Sequence, residues 1–244
     1  MRRGIAVGGL LLAMVGGLSA QSMRYDTHRL DGATFAEELR SEVKTESGVA
    51  QRSRSIIRRA NYSFALRRDT MMVTIDTIWL HENAEGVDRT VDVDPAIGAR
   101  WLLLLDSSGK VTVEDEPVVT RDIVDVSDVR TAMDDFFPPP PPALAIRGVV
   151  TDSAHRTWRR LADSAGVQRY HLSQQQHGNG SQALGDSVSV RSEQEATEET
   201  DIAWDASRGP LAWSRHILSA LTSRYSGRTM RASADQHIVV RRTH

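Results

Sequence analysis

Polar and apolar side chains alternate along much of this chain, and that alternation restricts its fold more than any other feature. Two neighbouring runs show it best: Tyr62, Phe64 and Leu66 in the first, and Met71, Val73, Ile75 and Trp79 in the second. Successive side chains of an extended strand face opposite sides of a sheet, so a period of two indicates half-buried strands. Asp69-Thr70 between the runs predicts a tight hairpin connection. The sequence therefore predicts a mainly β protein built from curved antiparallel sheet.

A second hairpin is predicted at residues 100–106 and 110–114, where Gly109 supplies the positive φ that such turns often require. Residues 203–211 repeat its order of aromatic residue, Asp, Ser and turn Gly, ending at Gly209. Weaker and more polar strands are predicted around 25–30, 39–45 and 53–59. The repeated order leaves two alternatives open, which are two similar β units in tandem or the chance recurrence of a common hairpin.

Between the two hairpins, apolar residues follow helical spacing at Val126, Val129, Met133 and Phe136 or Phe137. Ser127 is placed to cap the amino end, so one short helix is predicted near 127–137. The five prolines at 138–142 end it, because proline lacks an amide hydrogen and its predecessor avoids helical angles. They predict a polyproline II connector about 15 Å long.

These elements predict three parts after residue 20. Residues 21–137 form a first antiparallel β unit with its terminal helix, 138–142 form the polyproline connector, and 143–244 form a second antiparallel β unit. The alternative is that the second unit completes one continuous sheet with the first.

Residues 1–20 have the order of a secretory signal peptide. Arg2 and Arg3 precede an apolar run at 5–18, which ends in the small residues Ser19 and Ala20. The run is too short for a permanent membrane span, so we expect cleavage after Ala20 and a periplasmic or secreted protein without a transmembrane anchor. An uncleaved amino-terminal anchor is the alternative.

Composition excludes several classes of function. The chain has no cysteine, which removes disulfides, thiol catalysis, cysteine-ligated metals and a lipid-modified amino-terminal cysteine. Without the two arginines of residues 1–20, the 30 basic residues become 28 against 32 acidic ones, a formal charge of −4. Nucleic acid is therefore not an expected partner, because phosphate binding needs a concentrated basic surface.

Residue types that perform catalysis or bind metals are present but are not arranged in recognised patterns. The eight histidines are scattered, and the closest pair, His171 and His177, is separated by a glutamine-rich segment. We predict no metal site, no cofactor and no local catalytic motif, and an enzyme is the less favoured class. The enzymatic alternative is a hydrolase assembled from distant residues, with His171 or His216 beside an acid.

The alternating apolar residues are the best candidates for ligand binding. One face of a curved sheet is predicted to carry Met71, Val73, Ile75, Trp79, Trp101 and Leu103, with Leu105 beside them. That face could hold an acyl chain or another apolar small molecule. The alternative is an ordinary core filled by side chains and covered by the predicted helix. The proline run could also bind an aromatic groove of a partner protein, although a connector needs no partner.

The order of these features resembles the exported β-rich proteins of bacterial envelopes that have no assigned activity. The resemblance depends on Phe136-Phe137-Pro138, Gly148, Trp158 and the turn around Asp205 and Gly209. It implies a β fold and an envelope location, and architecture alone is similar to half-barrel envelope lipid carriers. We therefore expect a non-enzymatic binding or scaffold protein that contacts an envelope protein or an apolar small molecule, with a lipid carrier as the alternative.

Overall fold

A computed structural model describes residues 23–184, 188–225 and 228–244, so the predicted signal peptide at 1–20 lies outside the described residues. Twelve antiparallel strands form one sheet. Their bounds are Thr34–Ser47 (β1), Ala50–Arg67 (β2), Thr70–Ala84 (β3), Val87–Thr90 (β4), Arg100–Leu105 (β5), Val111–Asp115 (β6), Val149–Thr151 (β7), Thr157–Arg160 (β8), Gln168–Leu184 (β9), Val188–Asp205 (β10), Gly209–Tyr225 (β11) and Arg228–Arg242 (β12). The predicted mainly β, antiparallel fold is confirmed.

The first and last strands lie side by side in the middle of the sheet. The strand order is β6-β5-β3-β2-β1-β12-β11-β10-β9-β8-β7, and β4 pairs with β3. β1 pairs with β12 from Phe35 and Arg242 to Ser47 and Met230, so strands from both halves of the chain belong to one continuous sheet. The sheet is open in the described residues, with β6 and β7 at its edges.

Both predicted hairpins are present, although the first connection is Arg68-Asp69 and not Asp69-Thr70, because Thr70 begins β3. Arg68 has a φ of 59° in the connection between β2 and β3, and Gly109 has a φ of 82° between β5 and β6. Two other predictions differ from the structure. Residues 53–59 continue into the run at Tyr62 as the single strand β2, and the segment predicted as a strand at 25–30 contains the 3-10 helix Thr27–Arg29 instead.

A β-bulge in β3 corrects the predicted position of Trp79. Asn61 pairs with Thr77 whereas Tyr62 pairs with Ile75, so Asp76 is an extra residue that reverses the facing of all later side chains. Ile78 is therefore buried with Ile75, whereas Trp79 points to the opposite face and is 39% exposed. Trp79 does not share a face with Met71, Val73 and Ile75, because strict alternation cannot anticipate an inserted residue.

A segment without strands, residues 116–146, crosses one face of the sheet and is called the strap. It contains one α-helix, Arg121–Val126 (α1), and the 3-10 helix Val129–Met133. The helix predicted at 127–137 is thus displaced and shortened, and Ser127 ends α1 instead of capping a new helix. The predicted apolar residues of this segment are nevertheless buried. No helix in the described ranges is long and apolar enough to span a membrane.

Sheet side chains hold the strap by donating hydrogen bonds to its backbone carbonyls. Arg54 of β2 reaches Asp125 and Val126, and Trp101 of β5 reaches Arg130 at 2.9 Å. From the other end of the strand order, Arg215 of β11 donates to the carbonyl of Asp135, and Arg160 of β8 donates to that of Leu144. Since strands from both sides contact one segment, the sheet curves around the strap. We call the face against the strap the inner face.

The core fills the space under the strap and defines the capped half of the molecule. Phe136 and Phe137 of the strap pack with Phe35, Phe64 and Trp213 of the sheet, with ring centroids 5.1–6.2 Å apart. Pro138 and Pro141 are also buried. Their spacing of three matches the three residues per turn of a polyproline II helix, so one edge of the proline run packs on the sheet.

Six strands continue past the strap and form the open half, whose near end at Arg54 and Ile56 still adjoins the strap. It comprises residues 40–57 of β1 and β2, 173–184 of β9, 188–199 of β10, 216–225 of β11 and 228–237 of β12. These strands stay fully paired, yet most described side chains are exposed or half-buried on both faces. Ser47 and Ala50, Leu184 and Val188, and Tyr225 and Arg228 are the strand ends at one end of this half, which we call the distal end.

Candidate ligand-binding site

The structure brings five of the six predicted ligand-binding residues together as packed core. Met71 pairs with Leu103 and Val73 with Trp101 across β3 and β5, and Ile75 lies beside them. Each of these five side chains is at most 1% exposed. They face the strap, so the space predicted for an apolar ligand is occupied there by the chain's own side chains. Contact of these five residues, or of Trp79 on the outer face, with a ligand stays a prediction.

A cavity of about 390 Å³ adjoins this core where the strap ends over the sheet. Its floor carries Leu39 and Val43 of β1, Ile56 of β2 and Ile238 of β12, which are only partly buried. Its roof is formed by the strap residues Val126, Ala132 and Phe136. The walls are therefore mainly apolar and the cavity opens toward the open half. Sequence reasoning found the strand at 39–45, but it had no signal for the segment that covers it.

The charged groups that line the cavity are ion-paired within the protein, except the exposed carboxylate of Asp135, which has no ion pair with a described residue. Arg215 donates through Nε to a carboxylate oxygen of Glu198 at 2.9 Å and through Nη1 to the Asp135 carbonyl at 2.7 Å. Ser41 and Gln236 add a hydroxyl and an amide, whose Oγ and Nε2 atoms are 3.5 Å apart. A ligand in this cavity would meet hydrogen-bonding groups, and the one uncompensated charge of the described lining, that of Asp135, lies at its exposed edge.

A buried ion pair anchors the wall between the cavity and the core. Arg58 donates to Glu37 Oε1 at 2.7 Å, and the Tyr62 hydroxyl donates to Glu37 Oε2 at 2.6 Å. Burial alone would lower the pKa of Arg58, but the negative charge of Glu37 outweighs it and raises that pKa. Burial also raises the pKa of Tyr62, which keeps its hydroxyl protonated. Arg58 further reaches Ser127 Oγ at 3.1 Å, so the pair also holds the strap.

Trp213 is the one large aromatic side chain of β11 at the cavity wall. It is 2% exposed, and its ring packs on Phe35 and Phe136. Its Nε1 atom is buried and has no acceptor within the described ranges. A buried donor without an acceptor costs roughly 1–3 kcal/mol, so the unpaired N–H group of Trp213 lowers the stability of the fold.

Beyond the cavity, small and apolar side chains continue in rows along the inner face of the open half, and we call these rows the inner trough. The register places Val43 of β1, Ala234 of β12, Ser219 of β11 and Ala196 of β10 in one row across it. The next inward-facing row toward the distal end includes Ala232 and Leu221. Small and apolar side chains thus line a path from the cavity toward the distal end. Alternation indicated these strands, but only their pairing shows which residues share a row.

The histidines proposed for a hydrolase lie on the outer face. His171 Nδ1 is 3.0 Å from Asp201 Oδ1, and His216 Nε2 is 2.9 Å from Asp235 Oδ1. Both pairs are solvent-accessible, and no hydroxyl group of the described residues is hydrogen-bonded to either imidazole. A histidine–carboxylate pair without a nucleophile does not form a hydrolytic site. No group of three His, Asp or Glu side chains in residues 23–184, 188–225 and 228–244 is arranged to hold a metal ion.

Comparisons with known proteins add only distant likenesses in shape. No family model matches the chain, and no curated protein matches it. A solved structure concerned with lipid–protein interactions in lipovitellin is similar over 85% of this chain, at 8% identity and a TM-score of 0.45. The chain spans 25% of that lipovitellin chain. OpdQ of Pseudomonas aeruginosa is similar over 86% of this chain and 98% of its own, at 8% identity and a TM-score of 0.21.

Proposed function

We propose that this protein binds an amphipathic ligand whose extended apolar part occupies the cavity under the strap and continues into the inner trough. The cavity itself is the observation that carries the proposal. Its volume of about 390 Å³ falls within the roughly 300–1,000 Å³ of small-molecule sites. The proposal corresponds to the carrier alternative of the sequence analysis, with the ligand placed beside the packed core instead of within it.

The cavity walls favour an apolar chain because its transfer from water is stabilising. Each buried methylene contributes about 0.8 kcal/mol, so a segment of about six methylenes would contribute about 5 kcal/mol before the costs of binding. The floor residues Leu39, Val43 and Ile56 are partly exposed without a ligand, and a bound chain would cover them. The ligand would therefore complete a surface that the protein leaves half-buried.

The polar rim favours a head group with little or no net charge. Arg215 is compensated by Glu198, while Ser41 and Gln236 can donate and accept hydrogen bonds. A hydroxyl, amide or protonated acid would be bound without leaving an unpaired charge in a partly buried site. Binding without chemical change is also favoured because His171 and His216 are exposed on the opposite face, and neither imidazole is hydrogen-bonded to a hydroxyl group of the described residues.

We further propose that the protein acts outside the cytoplasm, in the periplasm or as a secreted protein. This location is supported by the signal-peptide order of residues 1–20. Cell fractionation that found the intact chain with residues 1–20 in the cytosol would overturn this placement.

A displacement assay with a fluorescent fatty acid tests the ligand proposal. The wild-type protein is expected to bind cis-parinaric acid, and native mass spectrometry of gently purified protein is expected to show a bound lipid mass. Ala132→Phe fills the cavity from its roof and is expected to weaken probe binding at least tenfold. Ala220→Phe makes the same change at an exposed position outside this cavity and should leave binding unchanged. Equal binding by both variants, or no binding by the wild type, would contradict the proposal.

A further inference from the structure

The distal end of the open half carries a concentration of arginine. The arginines concerned lie within a few residue pairs of the strand ends there: Arg52 of β2, Arg191 of β10, Arg224 of β11, and Arg228 and Arg231 of β12. The acids at the same level are Glu46 and Glu193 of the strands and Glu85 beside Arg52. Five arginines against three glutamates give the described part of this end a net charge of +2. The sequence adds Asp186, which lies outside the described residues.

These arginines remain available to a partner. Arg224 and Glu193 are 3.9 Å apart and both are more than half exposed, so their ion pair is weak. Arg52 lies 3.5 Å from Glu85 and its side chain is 78% exposed. The side chains of Arg228 and Arg231 are exposed, and neither makes an ion pair with a described residue. The positive charge is therefore not neutralised by the protein itself.

Exposed apolar side chains accompany the arginines. Val49, in the connection between β1 and β2, is fully exposed, and Met230 of β12 is 36% exposed. Val49 follows Gly48, whose φ is 61°, in a tight connection that projects the valine away from the sheet. A valine in this position gains nothing from folding, because folding buries none of its surface. Basic and apolar side chains that project together fit the interface of an anionic bilayer, where both can be satisfied.

We infer that the distal end docks on a lipid bilayer that contains anionic phospholipids. Each basic side chain near such a surface adds to the attraction, so five arginines provide useful binding, whereas one or two would not. The chain after residue 20 is acidic, with a formal charge of −4, so the field of the whole protein would orient the positive end toward the bilayer. Docking in this orientation would direct the inner trough toward the lipid surface.

Sedimentation with vesicles tests this inference. Wild-type protein should sediment with vesicles of mixed phosphatidylcholine and phosphatidylglycerol, and binding to vesicles of phosphatidylcholine alone should be at least tenfold weaker. Added salt should weaken the binding, because it screens exposed charges. Equal binding to both vesicle types would overturn the inference. Tighter binding to a double-stranded DNA oligomer than to the mixed vesicles would also overturn it.

Matched variants locate the contact. Arg228→Glu with Arg231→Glu should reduce binding to the mixed vesicles at least tenfold, whereas Arg67→Glu with Arg100→Glu makes the same charge change in the capped half and should reduce it less than twofold. Val49→Asp should weaken binding severalfold, and Val118→Asp, at the 93% exposed strap residue, should not. Equal losses from the distal and capped-half pairs would overturn the inference.

The outcome is separable from that of the proposed function. The distal arginine variants leave the cavity intact, so they should bind cis-parinaric acid as the wild type does, while Ala132→Phe should keep its affinity for vesicles. Thermal unfolding by circular dichroism checks that each variant is folded. A protein that bound vesicles but no fatty acid would retain the docking inference and lose the ligand proposal.

Discussion

The capped and open halves of the molecule share the same strands but differ in what surrounds them. In β12, Val240 is 1% exposed beneath the strap, whereas the side chains from Arg228 to Arg231 at the other end of the strand are exposed. In β1, Phe35 is fully buried and Ser47 is exposed. The hydrogen-bonded ladder continues unbroken between them. Backbone pairing therefore sets how long the strands are, and the strap sets where they have a core.

The capped half contains the core that stabilises the fold, whereas the open half carries most of the surface proposed for binding. All four phenylalanines of the chain lie in the capped half, together with Trp101, Trp158, Trp204 and Trp213. The open half has small, polar and charged side chains with a few half-buried aliphatic ones. Burial of large side chains dominates folding stability, so we expect substitutions in the capped half to affect unfolding and those in the open half to affect binding.

The largest expected contrast compares two adjacent glutamates on opposite faces of β1. Glu37→Gln removes the negative charge that compensates buried Arg58 and should lower the free energy of unfolding by about 3–5 kcal/mol. Glu38→Gln changes an exposed partner of Arg40 and Arg59 and should cost less than about 1 kcal/mol. Urea unfolding measures both. Similar losses would show that Glu37 is not more buried, or not more strongly ion-paired, than Glu38.

A second contrast compares two leucines. Leu103→Ala empties a site that is 1% exposed beneath the strap and should cost about 2–5 kcal/mol, because the cavity it leaves cannot fully collapse. Leu218→Ala, at a side chain that is 44% exposed in the open half, should cost less than about 1 kcal/mol. The same urea titration provides the values, and a large loss for Leu218→Ala would reveal a second core in the open half.

The attachment of the strap should have an intermediate effect. The buried Tyr25 hydroxyl donates to the Pro138 carbonyl at 2.6 Å, and Tyr25→Phe leaves that carbonyl without this donor. We expect a loss of about 1–2 kcal/mol in unfolding free energy. Tyr170→Phe removes a hydroxyl that donates to the side chain of Gln168. Water reaches this partly buried Gln168 side chain more easily than the Pro138 carbonyl, so the loss of unfolding free energy should be smaller. A reversed order would show that the strap is not held at Pro138.

The smallest expected effect lies in a turn of the capped half and depends on pH. Hydrogen bonds from the Ser207 hydroxyl and from the Ser207 and Arg208 amides lower the pKa of Asp205 to about 2. A carboxylate whose pKa is lowered by folding stabilises the fold at pH values above the pKa of the unfolded chain, near 3.8. This contribution is lost as the pH falls toward 2.

Asp205 lies in a surface turn with its side chain 21% exposed, so solvent partly screens its contribution, which should be below about 1 kcal/mol. Asp205→Ala should lower the unfolding midpoint at pH 6 by a few degrees at most, and the difference from wild type should shrink between pH 4 and pH 2. Thermal unfolding across that range measures it. A difference that stays constant with pH would show that Asp205 acts through its shape and not through its charge.

The turns and strands were predictable because they are local. Alternation placed β2, β3, β5 and β6, and the repeated Asp, Ser and Gly order proved to have a common geometry. Asp106 and Asp205 each accept hydrogen bonds from a serine two residues later, at 2.8 Å to its amide and 2.6 Å to its hydroxyl. Gly109 and Gly209 follow with φ values of 82° and 83°. Similar turns arise from similar short sequences, and this likeness alone does not distinguish duplication from recurrence.

The cavity could not be predicted because it depends on distant contacts. Its floor comes from β1, β2 and β12 and its roof from the strap, and nothing within one strand indicates that these segments meet. Trp79 shows a second limit, since one inserted residue at Asp76 reversed its face. Alternation shows only that the five apolar residues share one face of the sheet. It does not show whether a ligand or the strap covers that face.

The sequence by itself determined the extended backbone, the hairpin turns and the apolar character of the segment that became the strap, because these depend on neighbouring residues. Tertiary structure decided which half of each strand is covered, where the cavity lies and that β1 meets β12. Phe35 and Trp213, for example, are far apart in the chain but their rings are 5.6 Å apart. Such contacts depend on the packing of the whole sheet around the strap, and they leave no periodic trace in either strand.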